Sequence, residues 1–446
     1  MMKKMLATLA SGSILALLTA ASANAQNVDW SKALGHYPNL TLSVMSETDP
    51  YIDAIKATKD GFTPLTGAKV AVDGYGYDAL HNKELLGCSQ NDKSYDVMLI
   101  DGIWLGEFVE ASCVDSINDR IKKDEQIVAW DDFTSQGAGQ ATWEGVRYCL
   151  PVAIYYELLF YRTDLFAQAH KEAPKTFAEL TDTAKFFTNN PDFPGVYGYA
   201  MNNARGAAAG QQFFEWIFNA GGIPWKSNYI GSKDPYADQT PMFNSPEGVA
   251  LVQLFKDMLR YEPPGAEGYA WDERANAFAA GKLAMINDWS VRAQIANDPK
   301  TSKIAGKFAS ALMASRDGKP VPPIGGWVMC INSHSDHKDA AWDFMKWFAS
   351  KEVHKQYALA GGTPSRLSTI TDADVQAKAP WTKTIFEAQK TAWTEVRPRH
   401  PLTFQLIDTL GVEVNKAIIG ELTPKAAMDE ANAKITEMLK SGGLLK

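Results

Sequence analysis

The sequence has little positive charge, few cysteines and no long apolar run beyond its first residues. Its 446 residues carry 44 Lys and Arg against 52 Asp and Glu, a net charge of −8. Nucleic acid and anionic membranes require a concentrated positive field, so neither is an expected partner. The four cysteines are too few for a disulfide scaffold, and no CxxC or His–Cys spacing points to a metal. No GxSxG, HExxH, Walker A or dinucleotide-binding GxGxxG signature occurs in its proper context, so no cofactor is expected. Internal repeats and low-complexity tracts are missing, which argues against an adhesin or a structural module. The composition, 46% hydrophobic and 22% charged, is that of a folded globular chain. Its length calls for two domains.

Residues 1–25 read as a secretory signal peptide. Lys3 and Lys4 precede an apolar stretch from Met5 to Ala21, and Ala23 and Ala25 place small residues before a cut at Gln26. The stretch is too short to span a membrane comfortably, and no cysteine near the cut could carry a lipid. A soluble periplasmic protein is expected, cleaved after Ala25. Export exposes Cys88, Cys113, Cys149 and Cys330 to oxidation, allowing two bridges in three pairings. Cys88 and Cys113 fall at the same edge of an expected sheet, which favours that pair. Cys149 and Cys330 sit in apolar strand-like runs, where a bridge and buried thiols are both open.

Strands alternate with helices through the first half. Residues 40–45, 67–73 and 95–101 read as strands, separated by helical patterns, which argues for a parallel sheet covered on both faces. A second α/β unit begins near residues 148–156. It continues through a capping box at Thr176–Glu179, a strand at 197–201, helices at 210–220, 245–259 and 272–280, and a strand at 282–287. The segment after Lys338 is mainly helical, and Trp342 and Trp347 belong to its core face. Ligands bind at the carboxyl ends of strands in such sheets, which groups Glu47, Tyr75, Tyr77 and Asp101 around one site.

The order of several short motifs carries a family resemblance. They are YDVMLID at 95–101, LP at 150–151 running into LFYRTD at 159–164, and PKTFAEL at 174–180. FAAGKLAM at 278–285, GGW at 325–327, GGTPSR at 361–366, RPRHP at 397–401 and IIGEL at 418–422 follow. Behind a signal peptide and in this order, the set resembles the extracellular solute-binding proteins of carbohydrate ABC importers, the group that includes maltose- and trehalose-binding proteins. The resemblance implies an α/β, two-lobe periplasmic-binding-protein fold of type II. Each lobe is then a mostly parallel sheet flanked by helices, joined to the other by hinge crossovers. By analogy residues 26–152 and 324–361 form the N-terminal lobe, and 153–323 and 362–446 the C-terminal lobe. A carbohydrate, whether a mono- or disaccharide, a polyol or a sugar derivative, would lie in the cleft. The partners implied are that solute and the membrane permease subunits of an importer, with the receptor itself a monomer.

The chain holds thirteen Trp, sixteen Tyr and twenty Phe, and sugar rings pack their C–H faces on such side chains. Trp289 and Trp327 match stacking positions in relatives, and Tyr155 matches a contact at the first crossing. Gly325 and Gly326 would let the backbone approach the solute. Thr48, Trp104, Asn203 and Trp271 complete the expected lining. Glu47, Asp101 and Arg366 are its polar groups, with Arg397 a rival to Arg366 and Arg205 a candidate for an anionic substituent. Core filling is the competing reading for each Trp, and helix capping for Asp101. The rival class is a secreted glycoside hydrolase, which needs two carboxylates facing each other across a cleft; no pair in the sequence is marked out for that.

Overall fold

The computed structural model describes residues 28–445, so the signal peptide lies outside the described residues. Nine strands occur among these: β1 (Thr41–Glu47), β2 (Lys69–Tyr75), β3 (Val97–Asp101), β4 (Thr142–Trp143), β5 (Val146–Arg147), β6 (Cys149–Arg162), β7 (Met285–Trp289), β8 (Phe308–Ala311) and β9 (Ile324–Ile331). Apart from the small β4–β5 pair they form one path, β2-β1-β3-β9-β6-β7, with β8 also on β6.

The organising element is β6. Its first half, Cys149 to Tyr156, pairs with β9, while Glu157 to Arg162 pairs with β7 and β8. At about 3.3 Å per residue its fourteen residues reach roughly 46 Å, enough to join two sheets. The register shifts between Pro151 and Ala153, where proline has no N–H to give the ladder. The expectation of mostly parallel sheets holds only for β1 with β2 and β1 with β3; every other pairing on this path is antiparallel. One strand carries the chain out to the second group of elements and another brings it back. Those two, β6 and β9, must run in opposite senses. The strand expected at residues 197–201 reduces to a single bridge from Tyr197 to Leu283.

Both disulfides form. Cys88–Cys113 ties the helix Tyr77–Ser89 to the segment just after the helix Leu105–Glu110, with Cα atoms 5.3 Å apart. Cys149–Cys330 joins register partners on β6 and β9, 4.4 Å apart, so the thiol alternative falls. The capping box is present: Thr176 Oγ1 accepts from the Glu179 N–H at 3.2 Å, and the Glu179 carboxylate accepts from the Thr176 N–H at 3.1 Å. Trp342 and Trp347 are buried, as their helical spacing requires. One packing contact matters for the site. The helices Ala207–Ile217 and Thr403–Ile418 meet backbone to backbone, because a Cβ on Gly210 would run into the Ile407 carbonyl and one on Gly411 into that of Gly206. Two helices this close fix where Gln211 points.

Candidate functional site

The carboxyl ends of β1 and β3 and the starts of the following helices converge on one small cavity. Its wall holds Glu47, Asp49, Tyr77 and Asp101 from this side. Tyr155 on β6, Gln211, Trp271, Trp289, Arg292 and Arg397 complete it. The space is only about 30 Å³, room for about two waters. A larger groove of about 670 Å³ shares Asp49 with the cavity, and its Asp272 pairs with Arg292 of the cavity wall. Another depression, about 740 Å³ around Trp130 and Lys351, has no part in this convergence.

Ion pairs close the cavity. Arg397 donates two parallel hydrogen bonds to Asp101, each 2.9 Å, the geometry in which guanidinium and carboxylate match best. Its Nε donates to the Ile324 carbonyl at 3.2 Å, and its charge lies 5.3 Å from the centre of the Trp289 ring. Arg292 reaches Asp49 at 3.2 Å and Asp272 at 2.5 Å, so this cation forms the partition between the outer groove and the cavity. Tyr77 donates to Asp101 at 3.0 Å and accepts from Gln211 at 3.0 Å. Burial raises the Asp49 carboxyl to about 6, against the pull of Arg292. Burial also pushes Glu47 well above the usual carboxylate range, with Asp49 adding to it, and no hydrogen bond of the side chain offsets the rise.

Aromatic rings supply the apolar walls. Tyr155 meets Trp289 edge to face with centroids 5.2 Å apart, and Tyr77 lies 5.8 Å from Trp271. A wall of Trp and Tyr with carboxylates and guanidinia among them suits a solute with apolar C–H faces and many hydroxyls.

The cavity brings together Glu47, Tyr77, Asp101, Tyr155, Trp271 and Trp289 of the residues expected from the sequence. The others stand elsewhere, each for a visible reason. Trp327 is 1% exposed, stacked on Tyr51 and edge-on to Trp104, so both tryptophans form a layer beneath Tyr77. Gly325 and Gly326 make room for the Tyr155 ring and the Ile154 side chain, not for a solute. Arg366 is 0% exposed: it donates to the carbonyls of Ala349 and Val128 at 2.6 Å each and packs over the Phe133 ring. Burial lowers its pKa to about 10. Asn203 spends its side-chain N–H on Glu262 and the Ala266 carbonyl. Tyr75 bonds Tyr95 at 2.7 Å under Lys83, Thr48 faces the outer groove, and Arg205 is exposed.

Sequence reasoning missed Asp49, Gln211 and Arg292. Asp49 precedes Pro50 and reads as a helix cap, yet its side chain makes no capping bond and turns to Arg292 instead. Asp101 does both jobs, since it also accepts from the Ile103 N–H at 3.4 Å.

A model of bacterial extracellular solute-binding proteins matches residues 46–355. The chain belongs to that family. It is 24% identical over 426 residues to a probable amino-acid ABC transporter periplasmic-binding protein of Sinorhizobium fredii, covering 92% of each chain. It is 28% identical over 327 residues to a mannitol-binding protein of Pseudomonas aeruginosa, covering 68% of this chain and 71% of that one. Among solved structures it is similar to an ABC transporter solute-binding protein from Agrobacterium radiobacter in complex with ribitol. That match has 30% identity and a TM-score of 0.83, covering 90% of this chain and all of the other. The fold is thus the two-lobe α/β fold of the family.

Proposed function

We propose that this protein captures a polyhydroxylated solute, a sugar alcohol or small sugar, between its lobes and delivers it to the membrane subunits of an ABC importer. The observation that carries the reading is the cavity itself. Four aromatic rings, three carboxylates and two arginines converge there from opposite sides of β6. A relative with bound ribitol and one named for mannitol, both over most of this chain, support a five- or six-carbon polyol over a longer oligosaccharide. The small cavity agrees in direction, because even such a solute requires the walls to part. Residues 26–152 and 324–361 form one lobe in this reading, and 153–323 with 362–446 the other. The protein works as a periplasmic monomer after cleavage behind Ala25, and it returns its solute chemically unchanged.

A thermal-shift screen tests this directly, since a solute that binds only the folded chain raises its melting temperature. Pentitols, hexitols and monosaccharides are expected to give the largest shifts, and mass spectrometry after incubation to recover them intact. A shift with amino acids alone would replace the carbohydrate reading, and cleavage of a disaccharide would point to a hydrolase.

A further inference from the structure

Glu215 is a buried acid with nothing to hold. Its side chain is fully enclosed, and both carboxyl oxygens are without a partner among the described residues. Buried polar groups are nearly always satisfied, so an orphan of this kind calls for a partner in another arrangement of the chain. Burial raises its carboxyl well above the usual range; Glu157 adds to the rise, and Arg397 and Arg274 pull against it. Arg274, on the helix Trp271–Ala279, is already engaged, 3.0 Å from Asp288 of β7 and 3.9 Å from Glu157 of β6. Arg397 is the nearby cation whose anion, Asp101, stands across the cavity. It lies one step from Glu215. Its Nη1 donates to Gln211 Oε1 at 3.3 Å, and Glu215 follows Gln211 by four residues on the helix Ala207–Ile217. Residues so spaced share a helix face, with Cβ atoms about 5–6 Å apart. The close glycine contact of this helix with Thr403–Ile418 keeps Glu215 and Arg397 together. In the division proposed above, both belong to the lobe opposite Asp101.

From this we infer that Glu215 is the second partner of Arg397: the guanidinium pairs with Asp101 when the lobes are closed and moves one helical turn to Glu215 when they part. The inference rests on the capture reading above and names a residue that regulates it. Glu215 touches no solute in this role. It is a positioning residue that sets affinity through Arg397, by stabilising the open form from which closure starts. As the guanidinium arrives, the Glu215 carboxyl passes its proton to water and becomes the carboxylate of the new pair. The two acids therefore act in opposite directions, Asp101 favouring the closed form and Glu215 the open one.

The test compares the free wild type, Asp101→Asn, and Asp101→Asn combined with Glu215→Gln by small-angle scattering. Asp101→Asn alone should be expanded. Adding Glu215→Gln removes the partner that Arg397 finds in the open form, so the radius of gyration should return toward wild type. Calorimetry with ribitol and mannitol should show binding by the double variant recover by roughly 10-fold over Asp101→Asn, the worth of a charge-assisted hydrogen bond. Gln matches the size of the neutral carboxyl, so Glu215→Gln alone should keep the wild-type melting temperature. A double variant as expanded as Asp101→Asn overturns the inference. So does Asp101→Asn with a wild-type radius, since Arg397 then has no open form to serve. A lower melting temperature in Glu215→Gln alone would assign this acid to the stability of its own lobe and overturn it as well. If no polyhydroxylated compound binds, the carbohydrate reading falls, while the radii, which need no solute, still decide the inference.

Discussion

Replacing Asp101 by Asn isolates the strongest link across the cleft. Asp101 ends β3, and Arg397 precedes the helix Thr403–Ile418, which packs with Ala207–Ile217; the lobe division proposed above puts them on opposite sides of the cleft. Both side chains are almost fully buried, at 1% and 2% exposure. Removing one charge of a buried pair costs about 3–5 kcal/mol, because the partner is left uncompensated. The low end applies here. Asn retains an acceptor, and Ile324, Gln211 and the Trp289 ring still hold the guanidinium. When the lobes part, however, Arg397 regains water, so the cost falls on the closed arrangement and not on the fold. At 1.4 kcal/mol per tenfold, 3 kcal/mol shifts the ratio of closed to open protein by roughly two decades.

The assay is small-angle scattering of the ligand-free protein beside titration calorimetry. Asp101→Asn should show a larger radius of gyration than wild type without ligand. It should also bind its solute up to roughly 100-fold more weakly, since affinity scales with the fraction able to close. Loss of any direct contact between Asp101 and the solute would also weaken binding, but it would leave the free radius unchanged. A variant with wild-type radius and a sharply lower melting temperature would refute the reasoning, placing the pair in the stability of one rigid body.

Trp289→Ala should weaken solute binding by about 1–3 kcal/mol with the fold retained, by calorimetry and circular dichroism, whereas Trp327→Ala should cost about 3–5 kcal/mol of stability in a denaturant titration. Burial raises the Glu262 carboxyl from 4.5 to about 8. The folded chain thus keeps a proton the unfolded chain releases, and that stability is full below about pH 4.5 and lost as the pH rises through about 8. Glu262→Gln, which can still accept from Asn203 and Met201, should flatten the fall in melting temperature between about pH 5 and about pH 8. Replacing Cys149 and Cys330 by Ala opens a link across 181 residues and should cost about 2–5 kcal/mol, read from the midpoint of urea unfolding. A denaturation midpoint equal to wild type would mean that the β6–β9 ladder alone holds those strands.

Local signals in the sequence found the parts that depend on local physics. The capping box at Thr176 is complete within four residues, and Asp101 could be placed because a strand followed by a turn exposes its last side chain. Tyr155 and Trp289 were reached differently, through their match to sugar-contacting positions in the family the sequence resembles, and both line the cavity. What escaped depends on partners far along the chain. Arg366 stands in a motif that suggested a site, but two of its partners, Val128 and Asp132, lie more than 200 residues away and help form a buried socket. The antiparallel sense of β9 is set by strands at 97–101 and 149–156, and nothing in its eight residues states that direction. Arg292 and Gln211 become cleft residues only once the turn after β7 and the close pair of helices are in place.

The links that close the cleft also limit how the solute can act. Asp101–Arg397, Asp49–Arg292 and Tyr77–Gln211 already join the two sides of the cavity, which the division proposed above assigns to different lobes, around an almost filled space. A solute therefore gains little by merely touching both sides, because the protein satisfies those groups without it. Its advantage lies in what the empty closed form leaves unmet: Glu47 without a donor and four aromatic rings around a space that holds about two waters. A ligand shifts a conformational equilibrium only by its differential affinity for the two states. That differential is thus carried by Glu47 and the aromatic walls, while the ion pairs set the resting position. Mutations of the two sets should separate. Loss of Asp101 should open the free protein, whereas Glu47→Gln should leave its radius of gyration unchanged and lower affinity alone. An expanded radius in free Glu47→Gln would show that this carboxylate also belongs to the latch, and the division would fail.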